Sequence, residues 1–217
     1  MTHTLEADGI QLAFGDRKIL SDIYIRSETG KITGLLGRNG EGKSCLMKII
    51  YGNLSCEKSV RINNQSLPQA FSIPHRLRYL PQFNFIPQTL TLKRIFEDFE
   101  LDFAAFTGRF PEFASKYTAS LASLPGGGIR LVELYAIAKS SSDFVMLDEP
   151  FTHLSPLQTE KAKELLSEEK RNKGIIVTDH MYRPVLDICD NLYLLVNGTT
   201  RPVRDLSDIE TYGYAKS

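Results

Sequence analysis

Neither sign of charge is in excess: 26 lysines and arginines balance 26 aspartates and glutamates over 217 residues. A chain with no basic surplus carries no global footprint for nucleic acid, and no nucleic-acid partner is expected. Long apolar runs are missing as well. No stretch approaches the roughly 18–20 apolar residues that a membrane-spanning helix requires. The opening MTHTLEADGI has no basic segment followed by an apolar run, so no export signal is expected. Cysteine is scarce. Cys45, Cys56 and Cys189 are odd in number and lack metal-ligand spacing, and they read as free thiols in a reducing, cytoplasmic compartment. Repeats, low-complexity tracts and linkers are absent too. What remains is ordinary globular material, 42% hydrophobic and 24% charged, long enough for one domain and a small insertion.

Short β-rich runs alternate with helical stretches, which predicts an α/β architecture. Strands are expected at 10–14, 20–26, 31–36, 77–80, 144–148, 174–178 and 191–196, with helices beginning near Lys43, Gly127 and Pro156. The last start is well marked: Ser155 can cap it, Pro156 suits the first helical position and Gln158 completes a capping box. From Phe83 to Phe113 the composition changes, with eight of the twelve phenylalanines in that segment. Several fall three or four residues apart and should line one side of short helices. The segment 83–125 is read as a helical subdomain inserted within a single domain spanning 1–217.

Gly37-Arg38-Asn39-Gly40-Glu41-Gly42-Lys43-Ser44 has the spacing G-x-x-x-x-G-K-[ST], after a predicted strand and at the start of a predicted helix. Gly37, Gly40 and Gly42 allow the backbone, Asn39 included, to turn successive N–H groups toward one anion at a helix N-terminus. Lys43 would reach β and γ phosphates, and the Ser44 hydroxyl would coordinate Mg²⁺. The bland alternative, a glycine-rich turn with no ligand, does not account for the strand before it and the helix after it. Phe144-Val145-Met146-Leu147-Asp148-Glu149 is an apolar strand ending in two carboxylates. In a parallel sheet ligands gather beyond the carboxyl ends of strands. Asp148 would hold Mg²⁺ through its water shell and Glu149 would polarise an attacking water.

These two elements, with their spacing, resemble the ATP-binding-cassette (ABC) ATPases, and further residues in the expected order extend the resemblance over nearly the whole chain. It implies a P-loop NTPase core with a mostly parallel sheet, an N-terminal antiparallel β subdomain and a small helical insertion. It also implies ATP and Mg²⁺ as ligands. Phe14, in Leu12-Ala13-Phe14-Gly15, resembles the aromatic that stacks on adenine; as an isolated residue it could equally be a core ring. Gln82, in Tyr79-Leu80-Pro81-Gln82-Phe83, resembles the glutamine that touches Mg²⁺ and the water and senses a transmembrane partner. His180, after the apolar strand ending at Thr178, resembles the histidine that contacts the γ phosphate. Thr178-Asp179-His180-Met181-Tyr182 is also similar to the lipopolysaccharide-export and branched-chain amino-acid-import members.

Four positions depart from the family pattern. The signature Leu-Ser-Gly-Gly-Gln/Glu, which in this family caps ATP held by the opposite subunit, reads Leu124-Pro125-Gly126-Gly127-Gly128. Gly126 and Gly127 keep close backbone approach, but the serine hydroxyl and the polar side chain at 128 are gone. Each lost hydrogen bond to a charged group is worth roughly 1.5–3 kcal/mol, so closure around ATP should weaken and turnover should be slow. Cys45 replaces a threonine near the α phosphate, and Ser155 stands where the family usually has an aspartate linking paired sites.

The resemblance therefore implies an ATP-hydrolysing subunit at the inner face of a membrane, driving separate transmembrane subunits by ATP-dependent pairing with a second ABC subunit. A homodimer with two weak sites, a heterodimer whose partner supplies an intact signature, and a signature whose backbone contacts suffice all fit the residues. A soluble non-transport ATPase and a slow nucleotide sensor are the alternatives in function. The Phe-rich segment forms its own core or meets the membrane subunits, and both hold if one or two rings remain exposed.

Overall fold

The computed structural model describes residues 2–205 and Asp208. Among the described residues, two sheets and six α-helices of seven or more residues make up the fold. β1 (Thr4–Phe14) and β2 (Arg17–Glu28) form a long antiparallel hairpin, joined by β4 (Glu57–Ile62) and β5 (Gln65–Ser66) in the order β2-β1-β4-β5. The second sheet has six strands: β3 (Ile32–Leu36), β6 (Leu77–Leu80), β7 (Phe144–Asp148), β8 (Gly174–Thr178), β9 (Asn191–Val196) and β10 (Thr199–Val203). Their order is β10-β9-β3-β8-β7-β6, parallel throughout except for the β10–β9 edge pair. The predicted strands are all present, the first two extending further toward the N-terminus.

The central strands β3, β8 and β7 are buried on both faces, which is why they read as continuous apolar runs. Successive side chains of β7 alternate between two cores. Phe144 and Met146 join a cluster with helix α1 (Lys43–Tyr51) and the antiparallel sheet. Val145 and Leu147 face the other way, onto helices α4 (Gly126–Ala138), α5 (Pro156–Glu169) and α6 (Tyr182–Ile188). Helix α5 starts at the capping box read from the sequence: Gln158 N donates to Ser155 Oγ (3.3 Å) and Ser155 N donates to Gln158 Oε1 (3.1 Å).

Between β6 and α4 lie the short helices α2 (Leu92–Asp98) and α3 (Phe103–Arg109), capped by Thr91 and Asp102. Here the two readings of the phenylalanines separate. Phe96, Phe106, Phe110 and Phe113 are buried, and Phe85, Phe99 and Phe103 pack against them, whereas Phe83 is 62% exposed. Phe106 is the hub, with the rings of Phe96, Phe110, Phe113 and Tyr135 all centred 4.9–5.2 Å away. Through Tyr135 of α4 this nest is continuous with the core beneath the parallel sheet. Removing the hub ring should leave an unfilled cavity. Phe106→Ala is expected to destabilise the chain by about 3–5 kcal/mol, read as a fall in the guanidinium unfolding midpoint; an unchanged midpoint would contradict the packing described.

Candidate functional site

The loop between β3 and α1 is shaped by its glycines. Gly40 and Gly42 both adopt positive φ, at 86° and 101°, and Gly42 passes the chain directly into α1. Lys43, only 6% exposed, donates through Nζ to the carbonyls of Gly37 (2.6 Å) and Arg38 (3.1 Å). Burial pulls its pKa down, while the carboxylates of Glu149, Asp148, Asp179 and Glu41 oppose that shift. The ammonium is thus held at the loop on carbonyls that an incoming anion could displace.

Ser44 Oγ donates to Asp148 Oδ1 (3.2 Å), and Tyr79 Oη donates to Asp148 Oδ2 (2.9 Å). Asp148 ends β7 almost wholly buried, and desolvation raises its pKa against the two hydrogen bonds that lower it. Burial beside Asp148 also raises the Tyr79 pKa well above the phenol range, so its proton stays on the donor side of the bond. Glu149 follows at φ 51°, in the left-handed region, its N–H tied to the Thr178 carbonyl at 2.7 Å. This non-glycine in a strained conformation turns its carboxylate out of the sheet. Glu149 Oε2 lies 3.5 Å from His180 Nδ1 and accepts from Thr152 Oγ1 at 3.4 Å. His180 is exposed and is steadied from below by Asp179, whose Oδ1 stands 3.3 Å from the same Nδ1. Asp179 has no exposed surface and accepts from the amides of Phe151 and Met181.

Most of the expected residues meet in one cleft of about 640 Å³. Asn39, Gly40, Gly42, Lys43, Ser44 and Cys45 line it together with Gln82, Glu149 and His180. Phe14 also lines it and is 56% exposed, so it is not a core ring. Gly37 and Asp148 sit just beneath, bonded to Lys43 and Ser44. Pro125, Gly126, Gly127 and Gly128 are not among the residues lining the cleft. They begin α4 and pack against the turn after Glu149, where a Cβ on Gly127 would stand 2.4 Å from the His153 carbonyl oxygen. Another cleft of about 720 Å³ runs beside β9 and β10 and contains none of these residues. Size alone does not single out the site; its chemistry does.

Tyr79 and Asp179, which carry no motif of their own, join the site through their contacts with Asp148 and His180. Arg130 and Glu133 stand three apart in the otherwise apolar α4, a charge pattern visible in the sequence. All three cysteines are free thiols. Among the described residues no helix is long and apolar enough to cross a membrane.

A glycine-rich loop between a parallel strand and a helix, facing a carboxylate-tipped strand two places along the same sheet, defines a P-loop nucleotide-binding fold. The chain belongs to the ABC transporter family, whose sequence profile matches residues 20–152, more than half its length. It is the ATP-binding, ATP-hydrolysing cassette of that family. Relatives include the lipopolysaccharide export system ATP-binding protein LptB of Haemophilus influenzae, 26% identical over 89% of this chain and 87% of that protein. The uncharacterised ABC transporter ATP-binding protein YthP of Bacillus subtilis is 28% identical over 97% and 93%. Among solved structures, an ATP-binding subunit of an ABC transporter matches 98% of this chain and 95% of its own, with a TM-score of 0.79 at 23% identity.

The burial of Asp148 yields a prediction. Because its native pKa is raised, an ionised Asp148 opposes folding at neutral pH, and that penalty fades as pH falls through the native pKa toward the ordinary aspartate value of 3.8. Without nucleotide and in EDTA, Asp148→Asn should melt higher than the parent at pH 7–8, with the advantage vanishing at acid pH. A lower melting temperature for the variant at neutral pH would count against this electrostatic account.

Proposed function

We propose that the chain is the motor subunit of a transporter whose membrane-spanning subunits are separate polypeptides, working at the cytoplasmic face of the membrane. The reading is supported above all by Lys43, Ser44, Glu149 and His180 lining one cleft with the exposed ring of Phe14, and by Asp148 bonded to Ser44. In this reading Phe14 stacks on adenine. The amides of Gly37, Asn39, Gly40 and Gly42 surround the phosphates with N–H groups, and Lys43 exchanges its loop carbonyls for phosphate oxygens. Cys45 offers no hydroxyl to the α phosphate.

Ser44, Asp148 and Gln82 are the side chains that would hold Mg²⁺, an all-oxygen set suited to a hard cation. When bound, magnesium offsets the charge that builds on the transferred phosphoryl group. Glu149 orients and polarises the attacking water, and His180, fixed by Asp179, contacts the γ phosphate. We assign 83–125 as a helical subdomain within a single domain, with exposed Phe83 on the side nearest Gln82 in sequence.

Hydrolysis further requires pairing with a second ABC subunit, whose nucleotide the Pro125–Gly128 segment would cap. Pro125 and Gly128 bring no polar side chain to that contact, so two identical copies should turn over slowly, and a partner with an intact signature would relieve only this chain's own site. The same observation gives the second reading some standing: a nucleotide sensor that closes and scarcely hydrolyses. A soluble ATPase without transport is the remaining alternative.

Steady-state turnover separates these. Glu149→Gln should lower ATP hydrolysis at least about 100-fold while retaining ATP binding, as loss of a positioned base does; equal rates would favour the sensor. Restoring the polar groups with Pro125→Ser and Gly128→Gln should raise the turnover of the chain paired with itself several-fold, and no change would mean the backbone contacts suffice. Recovery from membranes with an integral protein is the expected result for a transporter subunit, and recovery only in a soluble complex removes it.

A further inference from the structure

Helix α4 is buried from Gly128 to Ala138, and within that apolar rod stand two charged residues one turn apart, Arg130 and Glu133. Neither lines the nucleotide cleft. Arg130 Nη1 donates to the Pro81 carbonyl at 2.8 Å, and Nη2 donates to the carbonyls of Asp148 (2.5 Å) and Glu149 (3.0 Å). Glu133 Oε1 accepts from the amides of Phe85 (2.8 Å) and Ile86 (3.1 Å). The two side chains therefore hold the backbone on both sides of Gln82, and one of them also holds the peptide that carries Glu149.

Charges at 3% and 0% exposure are costly to bury and need compensation. Around Arg130 the compensation comes from Glu133, Asp148, Asp179 and Glu149, which favour its cation against desolvation. The pair is nonetheless left open. Nη1 stands 3.7 Å from Glu133 Oε2, and neither Arg130 Nε nor Glu133 Oε2 has a hydrogen-bond partner among the described residues. An ion pair serving only to fill the core would be expected to close into two parallel bonds. Here each partner spends its hydrogen bonds on loop backbone instead, leaving one donor and one acceptor in reserve for a different arrangement.

Resting on the reading that Gln82 and Glu149 take part in ATP hydrolysis, we propose that Arg130 and Glu133 are a positioning pair that ties the Gln82 loop to the Glu149 peptide, so that displacement of the loop moves the hydrolytic carboxylate. Helix α4 begins at Pro125–Gly128, so the same rod joins the loop, the carboxylate and the signature segment. A force applied near Gln82 reaches hydrolysis through backbone carbonyls, with no side chain of the pair entering the cleft.

The test compares the parent with Arg130→Gln, Arg130→Lys and Glu133→Gln by thermal melting, magnesium-dependent binding of trinitrophenyl-ATP, and kcat and KM for ATP. Expected are variants folded at the assay temperature, with analogue affinity within about twofold of the parent and kcat lowered about tenfold or more, a signature of lost transition-state positioning. Arg130→Lys, which keeps the charge, should recover part of the rate. Gln82→Ala combined with Arg130→Gln should be no slower than the slower single variant, because both cut one linkage. Should the Arg130 variants unfold, Glu133→Gln decides the matter, since it retains shape and an acceptor for the two amides. Folded variants with parental kcat, or effects of Gln82 and Arg130 that simply multiply, would overturn the pair's role. A parent that neither binds nor hydrolyses magnesium-ATP overturns the functional reading itself and this role with it; a normal parent with unaffected variants overturns the role alone.

Discussion

The carboxylate of Asp148 sits where an apolar strand runs out, and three elements converge to keep it there. Ser44 arrives from α1, Tyr79 from β6, and Asp148 itself from β7, all joined by two hydrogen bonds at one buried point. Burying this charge disfavours the empty protein, since desolvation outweighs the bonds it receives. In the proposed function, a magnesium ion arriving with phosphate oxygens would relieve that imbalance and supply the missing half of an electrostatic pair. The neighbouring Glu149 keeps its left-handed turn with its N–H on the Thr178 carbonyl.

Much of this was legible in the sequence, for reasons that can be named. The phosphate loop is fixed by local chemistry: glycines where φ must be positive, a lysine and a hydroxyl at set offsets, a strand before and a helix after. The central strands of the parallel sheet are apolar on both faces, so their runs announce themselves. Strand β10 did not, because Pro202 argues against a strand and is tolerated only on an edge, which is where β10 lies. Helix α6 was hidden by Pro184 in its first turn, a position that needs no amide donor. Strand β4 carries charged residues on its outer face and too few apolar ones to stand out. Contacts such as Tyr79 with Asp148 join residues far apart in the chain and leave no local trace.

The departures from the family pattern take on a clearer meaning in three dimensions. Gly127 lies so close to the His153 carbonyl that no side chain fits there, which explains a glycine irrespective of any nucleotide. Pro125 precedes the first turn of α4 in an extended conformation that proline readily adopts, so its presence is no burden on the fold. Ser155 has a structural occupation as the cap of α5. Gly128 is buried, and a Cβ there would meet Leu124, Pro125 and Phe113 at ordinary contact distance, so glycine is not required at that position by packing.

The aromatic nest around Phe106 shares Tyr135 with the core under the parallel sheet, and this sets limits on how α2 and α3 can travel. A segment with a sealed core of its own could swing on its linkers like a door. One whose rings are wedged into the neighbouring layer would have to open a dry cavity to do so, which close-packed interiors resist. Its accessible movement is a shear: small slips of α2 and α3 along the flank of α4, in which side chains exchange neighbours without parting.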